Sequence, residues 1–401
     1  MPTSARITVA AAAAVALSTV AVPTTAGAAP VERAVVAVAP ETDVVPDSYV
    51  ILLKQDDTAV KTQARALAKK HGGKVRQTYS HAVRGFAATM TAKQAAKMAA
   101  DPAVTAVQPN IVHHASTTQT DPPSYGLDRI DQRTRPLSTT YTYSTSASNV
   151  HAYIIDTGIR TTHADFGGRA TSGFDAIDGG AADDCNGHGT HVAGTVGGSS
   201  FGVAKGVQLV AVRVLNCEGS GTTAQVVAGI DWVTANAVKP AVANMSLGGG
   251  PDPALDAAVS RSIAGRVSYA IAAGNGGPLG LLPLDACTQS PARVPAALTV
   301  SAVDNTDQKP SWANRGTCVD VFAPGLTITS AWITDDNATR TISGTSMAAP
   351  HVAGAAALYL AKHPAATPAD VHAEIVSAAT PGVVAGPGAG TPNRLLYTGA
   401  F

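Results

Sequence analysis

Three side chains in this sequence are of the types that nucleophilic acyl transfer needs, and each stands in a short segment rich in small residues or glycine. Asp156 follows the apolar run VHAYII (150–155), His188 lies between glycines in NGHGTHVAG (186–194), and Ser346 lies in GTSMAAPH (344–351). A serine hydroxyl attacks a carbonyl poorly until a base takes its proton, and an imidazole suits that task near neutral pH. A carboxylate behind the ring fixes its tautomer and stabilises the cation that forms. The tetrahedral oxyanion then needs donors set in place beforehand. Two are available: the backbone N–H of Ser346, near the start of a helix, and the amide of Asn275, which follows VSYAIAAG (267–274). Each residue also has a plainer role. Asp156 and Asn275 suit turns, and a serine in a first helical turn usually caps it. Only their convergence points to chemistry.

Convergence needs a scaffold, and the sequence provides one from about Tyr125 onward. Apolar strands are expected over 150–155, 207–215, 241–246, 267–273, 297–303 and 319–322. Helices are expected over 222–238, 253–264 and 346–363, with a short one opened by Thr367-Pro368. Strands that alternate with amphipathic helices read as α/β, a three-layer fold with a mostly parallel central sheet. Ligands of such sheets bind beyond the carboxyl ends of the strands. Asp156, Ser246 and Asn275 all stand at such ends.

Ahead of this region lies a smaller unit. Strands over 48–53, 84–90 and 103–107, with a further one between its two helices, give the order strand–helix–strand–strand–helix–strand of a small α+β domain. Its helices run over 58–71, stopped by Gly72-Gly73, and along TAKQAAKMAA, which Thr91 can cap. The stretch 111–124 is polar and proline-marked, as an exposed connection would be, and 29–47 reads as a linker. At the N-terminus Arg6 precedes an apolar run over 7–22, too short to span a bilayer comfortably, and Ala26-Gly27-Ala28 follows. Residues 1–28 thus read as a signal peptide, which implies a secreted, extracellular product. No later stretch reaches transmembrane length, so no membrane association is expected.

Charge adds a division between the two parts. The chain carries 28 Lys and Arg against 28 Asp and Glu, which gives no field to gather nucleic acid. Residues 48–114 hold ten basic against three acidic side chains, a balance of +7, and 115–401 hold sixteen against 21, a balance of −5. No arginine-rich tract with interleaved aromatics appears, so docking of two parts is favoured over a nucleic-acid arm. Four cysteines, Cys185, Cys217, Cys287 and Cys318, read as disulfides in an exported chain, with three pairings open. The spacing Cys185, His188, His191 also allows a zinc reading, which lacks a fourth ligand and would take His188 from its catalytic role.

The chain order Asp156…His188…Ser346 carries a resemblance. With IDTGI (155–159), NGHGTHVAG, AAGN (272–275) and GTSMAAPH, the sequence resembles the subtilisin-like serine peptidases, whose triad has this order. SLGGG (246–250) and DCNGHGTH (184–191) resemble the proteinase K and aqualysin-like group. The likeness runs from about Tyr125 to the C-terminus. SYVILLK (48–54) and GFAATM (85–90) resemble the inhibitory propeptide of these enzymes. The resemblance implies a propeptide over 48–114, a peptidase domain over 115–401 and self-cleavage between His114 and Thr118. It implies a monomeric serine endopeptidase with protein and peptide substrates. They would lie extended between Gly219-Ser220-Gly221 and Ser246-Leu247-Gly248. Ala273 and Gly274 would border an open apolar pocket, hence broad specificity toward apolar or aromatic residues. The segment 276–287 is longer than in the group and departs from it. The resemblance pairs Cys185 with Cys217 and Cys287 with Cys318. It also implies structural Ca²⁺ at Asp320 with the carbonyls of Pro295 and Ala297, and a second ion at Asp128, Asp131 and Gln132. No cofactor is implied for catalysis.

Two rival readings remain on the sequence. Gly198-Ser199-Ser200-Phe201-Gly202 satisfies G-x-S-x-G, the elbow of lipases and esterases, but that motif belongs between a strand and a helix. Here it is expected after a helix and before a loop. A catalytically silent binding module is the second, and the complete set of catalytic groups opposes it.

Overall fold

A computed structural model describes residues 44–111, 117–277 and 282–401. The expected signal peptide, most of the expected linker, residues 112–116, which include the start of the expected processing region, and 278–281 of the long loop lie outside the described residues. The chain divides into two compact units, Met1–His113 and His114–Phe401.

The first unit contains β1 (Val44–Leu53), α1 (Val60–His71), β2 (Lys74–Tyr79), β3 (Gly85–Thr89), α2 (Ala92–Ala99) and β4 (Val104–Ile111). Its antiparallel sheet has the order β2-β3-β1-β4. β1 begins at Val44, so the strand takes in the end of the expected linker. Thr91 caps α2 in a reciprocal capping box with Gln94, which satisfies two of the free N–H groups at the helix start. One face of the sheet and both helices enclose Ile51, Phe86, Met98 and Val107, all fully buried.

The second unit opens with β5 (Thr117–Thr120), α3 (Tyr125–Ile130) and β6 (Thr140–Tyr143), the two strands forming an antiparallel pair. There follow β7 (His151–Asp156), β8 (Ala170–Asp175), α4 (His188–Gly197), β9 (Gln208–Arg213) and α5 (Thr223–Asn236). Next come β10 (Ala241–Met245), α6 (Pro253–Ala264), β11 (Ser268–Ala272), β12 (Leu298–Val303) and β13 (Val321–Pro324). The hairpin β14 (Ile328–Ala331) and β15 (Thr339–Ile342) leads into α7 (Thr345–Lys362), α8 (Pro368–Ala378) and the two-residue strands β16 (Thr380–Pro381) and β17 (Arg394–Leu395). Nine strands form one sheet in the order β16-β17-β13-β12-β11-β10-β7-β9-β8, parallel except for β16 against β17. Of the expected strands, every one forms. β8 and the hairpin were not expected, because neither has an uninterrupted apolar run.

Alternation along β7 shows how the sheet is covered. Ala152 and Ile154 enter the apolar cluster shared with α4 and α7, whereas Tyr153 and Ile155 enter the cluster shared with α5 and α6. Residues 345–360 of α7 are buried with few exceptions, as expected for a helix apolar all round. α5 and α8 begin with capping boxes from Thr222 and Thr367, and Asp252 caps α6. Two disulfides join Cys185 to Cys217 and Cys287 to Cys318, with Cα separations of 5.0 and 5.3 Å. Each closes a loop, with sequence separations of 32 and 31. Such a loop contributes roughly 3–4 kcal/mol in the chain-entropy account. The G-x-S-x-G match follows α4 and enters no strand-to-helix elbow.

Candidate active site

β7 and β10 are neighbours at the centre of the sheet, and from β7 the chain builds β8 and β9 on one side before crossing to β10. That crossing is the switch point at which open α/β sheets hold their ligands. Asp156 is the last residue of β7, Ser246 follows β10, and Asn275 stands three residues beyond β11.

Asp156 is fully buried. Its Oδ1 lies 2.7 Å from His188 Nδ1 and accepts the Thr157 N–H at 2.8 Å. His188 begins α4, and its ring retains 26 % exposure. With Nδ1 on the carboxylate, Nε2 is left for the cleft. Burial alone would lower the pKa of His188. The charge and hydrogen bond of Asp156, helped by Asp184, outweigh burial and raise it above the ordinary 6.5.

The start of α4 is organised by Asp184. Its Oδ1 accepts from Thr157 Oγ1 and the N–H groups of Asn186 and Gly187, at 2.8–2.9 Å. Its Oδ2 accepts from Thr190 N and Oγ1, at 2.9 and 2.6 Å. One carboxylate thereby links the segment after Asp156 to the first turn that carries His188. The sequence held this signal as an acid just ahead of a helix start.

Ser346 is the second residue of α7, whose N-cap is Gly344, so it is not the capping serine that its position allowed. Its Oγ donates to the carbonyl of Ser246 at 3.2 Å, while Ser246 Oγ donates to the carbonyl of Ser346 at 2.7 Å. Asn244 Nδ2 supports Ser246 Oγ at 2.9 Å. Ser246 is therefore buried and tied to the start of α7, besides standing on the expected substrate edge. Asn275 Oδ1 accepts from Thr345 N and Oγ1, at 2.8 and 2.9 Å, which orients the amide and leaves Nδ2 for another acceptor. A Cβ placed on Gly344 would lie 3.4 Å from Asn275 Nδ2 and 3.6 Å from Ser346 N. The absent side chain of Gly344 thus leaves a small space bordered by Asn275 Nδ2, Ser346 N and Met347 Sδ. Asn244 and Thr345 were not singled out from sequence, although a polar residue within the apolar run AVANM was a visible cue.

A cleft of about 740 Å³ lies alongside. His188, Gly219-Ser220-Gly221 and Ser246-Leu247-Gly248 all line it, so both expected edges face one space. Ala273 and Gly274 do not line this cleft. Ala273 is fully buried on the α5–α6 face, and the Gly274 N–H is bonded to Thr345 Oγ1.

The zinc spacing dissolves in three dimensions. Cys185 is in a disulfide, His188 is on Asp156, and His191 donates Nε2–H to the carbonyls of Ile328 and Arg340. Burial drives the pKa of His191 down to about 4, so it is a neutral structural donor. Among the described residues no group of three or more His, Cys, Asp or Glu is arranged to hold a metal. Asp320 is half-buried, accepts the Thr299 N–H on Oδ2 at 2.8 Å, and has His372 Nε2 3.3 Å from Oδ1. Asp128 accepts Ser138 N and Oγ on one oxygen and Thr139 N on the other. Gln132 Oε1 accepts the Ser138 N–H and its Nε2 donates to two carbonyls. Asp131 Oδ2 accepts the Thr142 N–H, and only its Oδ1 is buried without a partner. Six to eight oxygens surround Ca²⁺. Here Ser138 and Thr139 donate to Asp128 and Gln132, while Asp131 Oδ1 keeps no partner and burial, with Asp128 beside it, pushes the Asp131 carboxyl up to about 6.

The comparisons with known proteins agree with this geometry. Residues 148–395 match the model of the Subtilase family, and residues 47–116 match that of the Peptidase inhibitor I9 family. The extracellular serine proteinase of Thermus sp. (strain Rt41A) is 52% identical over 340 residues, covering 84% of this chain and 81% of that protein. The alkaline serine exoprotease A of Vibrio alginolyticus is 44% identical over 377 residues, covering 90% and 69%. Among solved structures, a cold-adapted subtilisin-like serine proteinase matches with a TM-score of 0.65 and 52% identity, covering 68% of this chain and 97% of that one. The chain belongs to the subtilase family of serine peptidases, and its peptidase domain is preceded by an I9 inhibitor domain.

Proposed function

We propose that Asp156, His188 and Ser346 form the catalytic triad of a secreted endopeptidase, with Asn275 Nδ2 and the Ser346 N–H as its oxyanion hole. Ser346 Oγ attacks the scissile carbonyl while its proton passes to His188 Nε2. Asp156 holds the Nδ1–H and stabilises the imidazolium. The carbonyl oxygen gains negative charge between the two donors. Collapse expels the amine, which takes the proton from His188, and leaves an acyl group on Ser346. Water then attacks the acyl carbon with the same base and the same oxyanion donors, and Ser346 regains its proton.

The observation that carries this reading is the space beside Gly344, with Asn275 Nδ2 and Ser346 N on its border. Such donors act on the charge of the transition state rather than on the neutral carbonyl. A serine-directed fluorophosphonate tests it. The reagent is expected to abolish casein hydrolysis and to label Ser346 in peptide maps. Label on another serine with loss of activity would contradict it.

Substrate lies extended between the 219–221 and 246–248 edges, where main-chain pairing tolerates many sequences. Release into the extracellular space follows from the leader-like residues 1–28 and from the extracellular serine proteinase it resembles. The unit before the peptidase domain acts as inhibitor and folding aid, its +7 balance opposing the −5 of 115–401. It is cut away between His114 and Thr118, and the mature enzyme is a monomer. Calcium at Asp320, with the carbonyls of Pro295 and Ala297, follows from the resemblance, and a half-buried carboxylate is the hard oxygen ligand that Ca²⁺ takes. It steadies the fold and takes no part in the acyl transfer. Chelation is expected to lower the temperature of irreversible inactivation in wild type and to leave Asp320→Ala unchanged. Equal shifts in both would contradict this site.

A further inference from the structure

We propose that Trp332 is a positioning residue for His188, and that the turn it opens sets the register of all three segments that carry the triad. This rests on the triad assignment above and adds a residue to it.

Trp332 begins the turn 332–338 between β14 and β15. A Cβ built on Gly187 would lie 2.4–2.6 Å from three atoms of the indole, so the ring rests directly on the residue before His188. Gly187 also has φ +107°, a conformation that favours glycine. The indole and the glycine are therefore matched: one side chain fills the space that the other leaves. The Arg340 guanidinium carbon lies 4.5 Å from the centroid of the indole, and the His191 ring meets the indole edge-on at 6.4 Å. His191 Nε2–H is shared between Ile328 O at 3.0 Å and Arg340 O at 3.1 Å, one carbonyl from each strand of the hairpin. The first turn of α4 is thus fixed to the hairpin at both ends.

The same turn reaches the other two segments. Asp336 accepts from Arg160 Nε at 2.7 Å and Thr162 Oγ1 at 2.6 Å, and its carbonyl accepts the Ala164 N–H at 2.7 Å. Arg160 Nη1 also donates to Ile333 O at 3.0 Å. Those partners lie in the segment that follows Asp156. On its far side the turn continues through β15 directly to Gly344 and Ser346. One turn therefore touches the chain after the acid, bears on the residue before the base, and leads to the nucleophile. Small displacements of reacting groups cost rate steeply, about 10²-fold for 1 Å.

The test compares Trp332→Ala and Trp332→Phe with wild type, with active sites counted by fluorophosphonate labelling. For Trp332→Ala, kcat per labelled site is expected to fall about tenfold or more, with KM within about twofold. Trp332→Phe should restore most of kcat, because a ring still covers Gly187. The rate of labelling by a small fluorophosphonate should fall in parallel with kcat, since it needs the base and not the substrate edges. An unchanged kcat per labelled site in Trp332→Ala would overturn the proposal, whatever happens to stability. So would a loss confined to KM. Should the alanine variant fail to accumulate, Trp332→Phe and Trp332→Leu make the same comparison, and equal kcat in both overturns it. Failure of the triad assignment is a separate result: the label would then map away from Ser346 in wild type.

Discussion

Asp156 Oδ1 already lies 2.7 Å from His188 Nδ1, while Ser346 Oγ is bonded to the Ser246 carbonyl, and Asn275 Nδ2 has no partner among the described residues. In the triad proposed above, the base side stands assembled in the resting protein, whereas the acceptor side holds its donors ready for a charge that is not yet there. The difference follows from the chemistry. A carboxylate must fix the imidazole before any substrate arrives, but a donor bonded to the ground state as strongly as to the transition state would give no acceleration. Asn275 is held by its oxygen, through Thr345, and so keeps its nitrogen free.

Changes on the two sides should consequently break the enzyme differently. Asp156→Asn removes the partner that selects the tautomer of His188, and kcat is expected to fall about 10⁴-fold, the size of loss known from the trypsin-type triad. Stopped-flow and steady-state kinetics on one peptide substrate would check this, and a loss below tenfold would break the contrast. Asn275→Ala is expected to lower kcat about 10²–10³-fold with KM nearly unchanged, as in subtilisin itself. A change in KM alone would mean that the amide binds the ground state. The mildest probe is pH. The Asp156 charge and hydrogen bond, against the opposing effect of burial, raise the pKa of His188 above 6.5. The base is needed neutral, so kcat/KM of the free enzyme should fall as pH drops through a midpoint above 6.5. The linked stability has the opposite sense. Stability from the charged ring is full below the unfolded pKa and is lost as pH rises through the folded one. A midpoint below 6.5 would show that burial, not Asp156, governs the ring.

Much of this arrangement was legible in the sequence, because the elements that carry it have strong local signals. Apolar runs named β7, β10 and β11, and the polar residue after each marked the sheet edge. Glycines marked the two helix starts that bring His188 and Ser346 close to other chain segments. What escaped was carried by contacts between distant residues. The role of Asp184 depends on donors from Thr157 to Thr190, and that of Thr345 on Asn275, seventy residues away. The hairpin of β14 and β15 has two short strands, one mostly exposed, and gives no alternation long enough to read. The donors around Asp128 escaped for a related reason: they come from Ser138 and Thr139, and nothing in Asp128, Asp131 and Gln132 announces them. Ala273 is buried in the sheet and the Gly274 N–H is bonded to Thr345, contacts that no local pattern announces.

Ser346 is proposed as the nucleophile both for substrate and for the chain's own maturation. Intact mass of the secreted product from wild type and from Ser346→Ala tests it most directly, in a host without other extracellular proteases. Wild type should yield a chain that begins between His114 and Thr118. Ser346→Ala should yield a chain that has lost only its leader, beginning near Ala29, with the basic unit still attached. A Ser346→Ala protein that matures as completely as wild type would contradict the account.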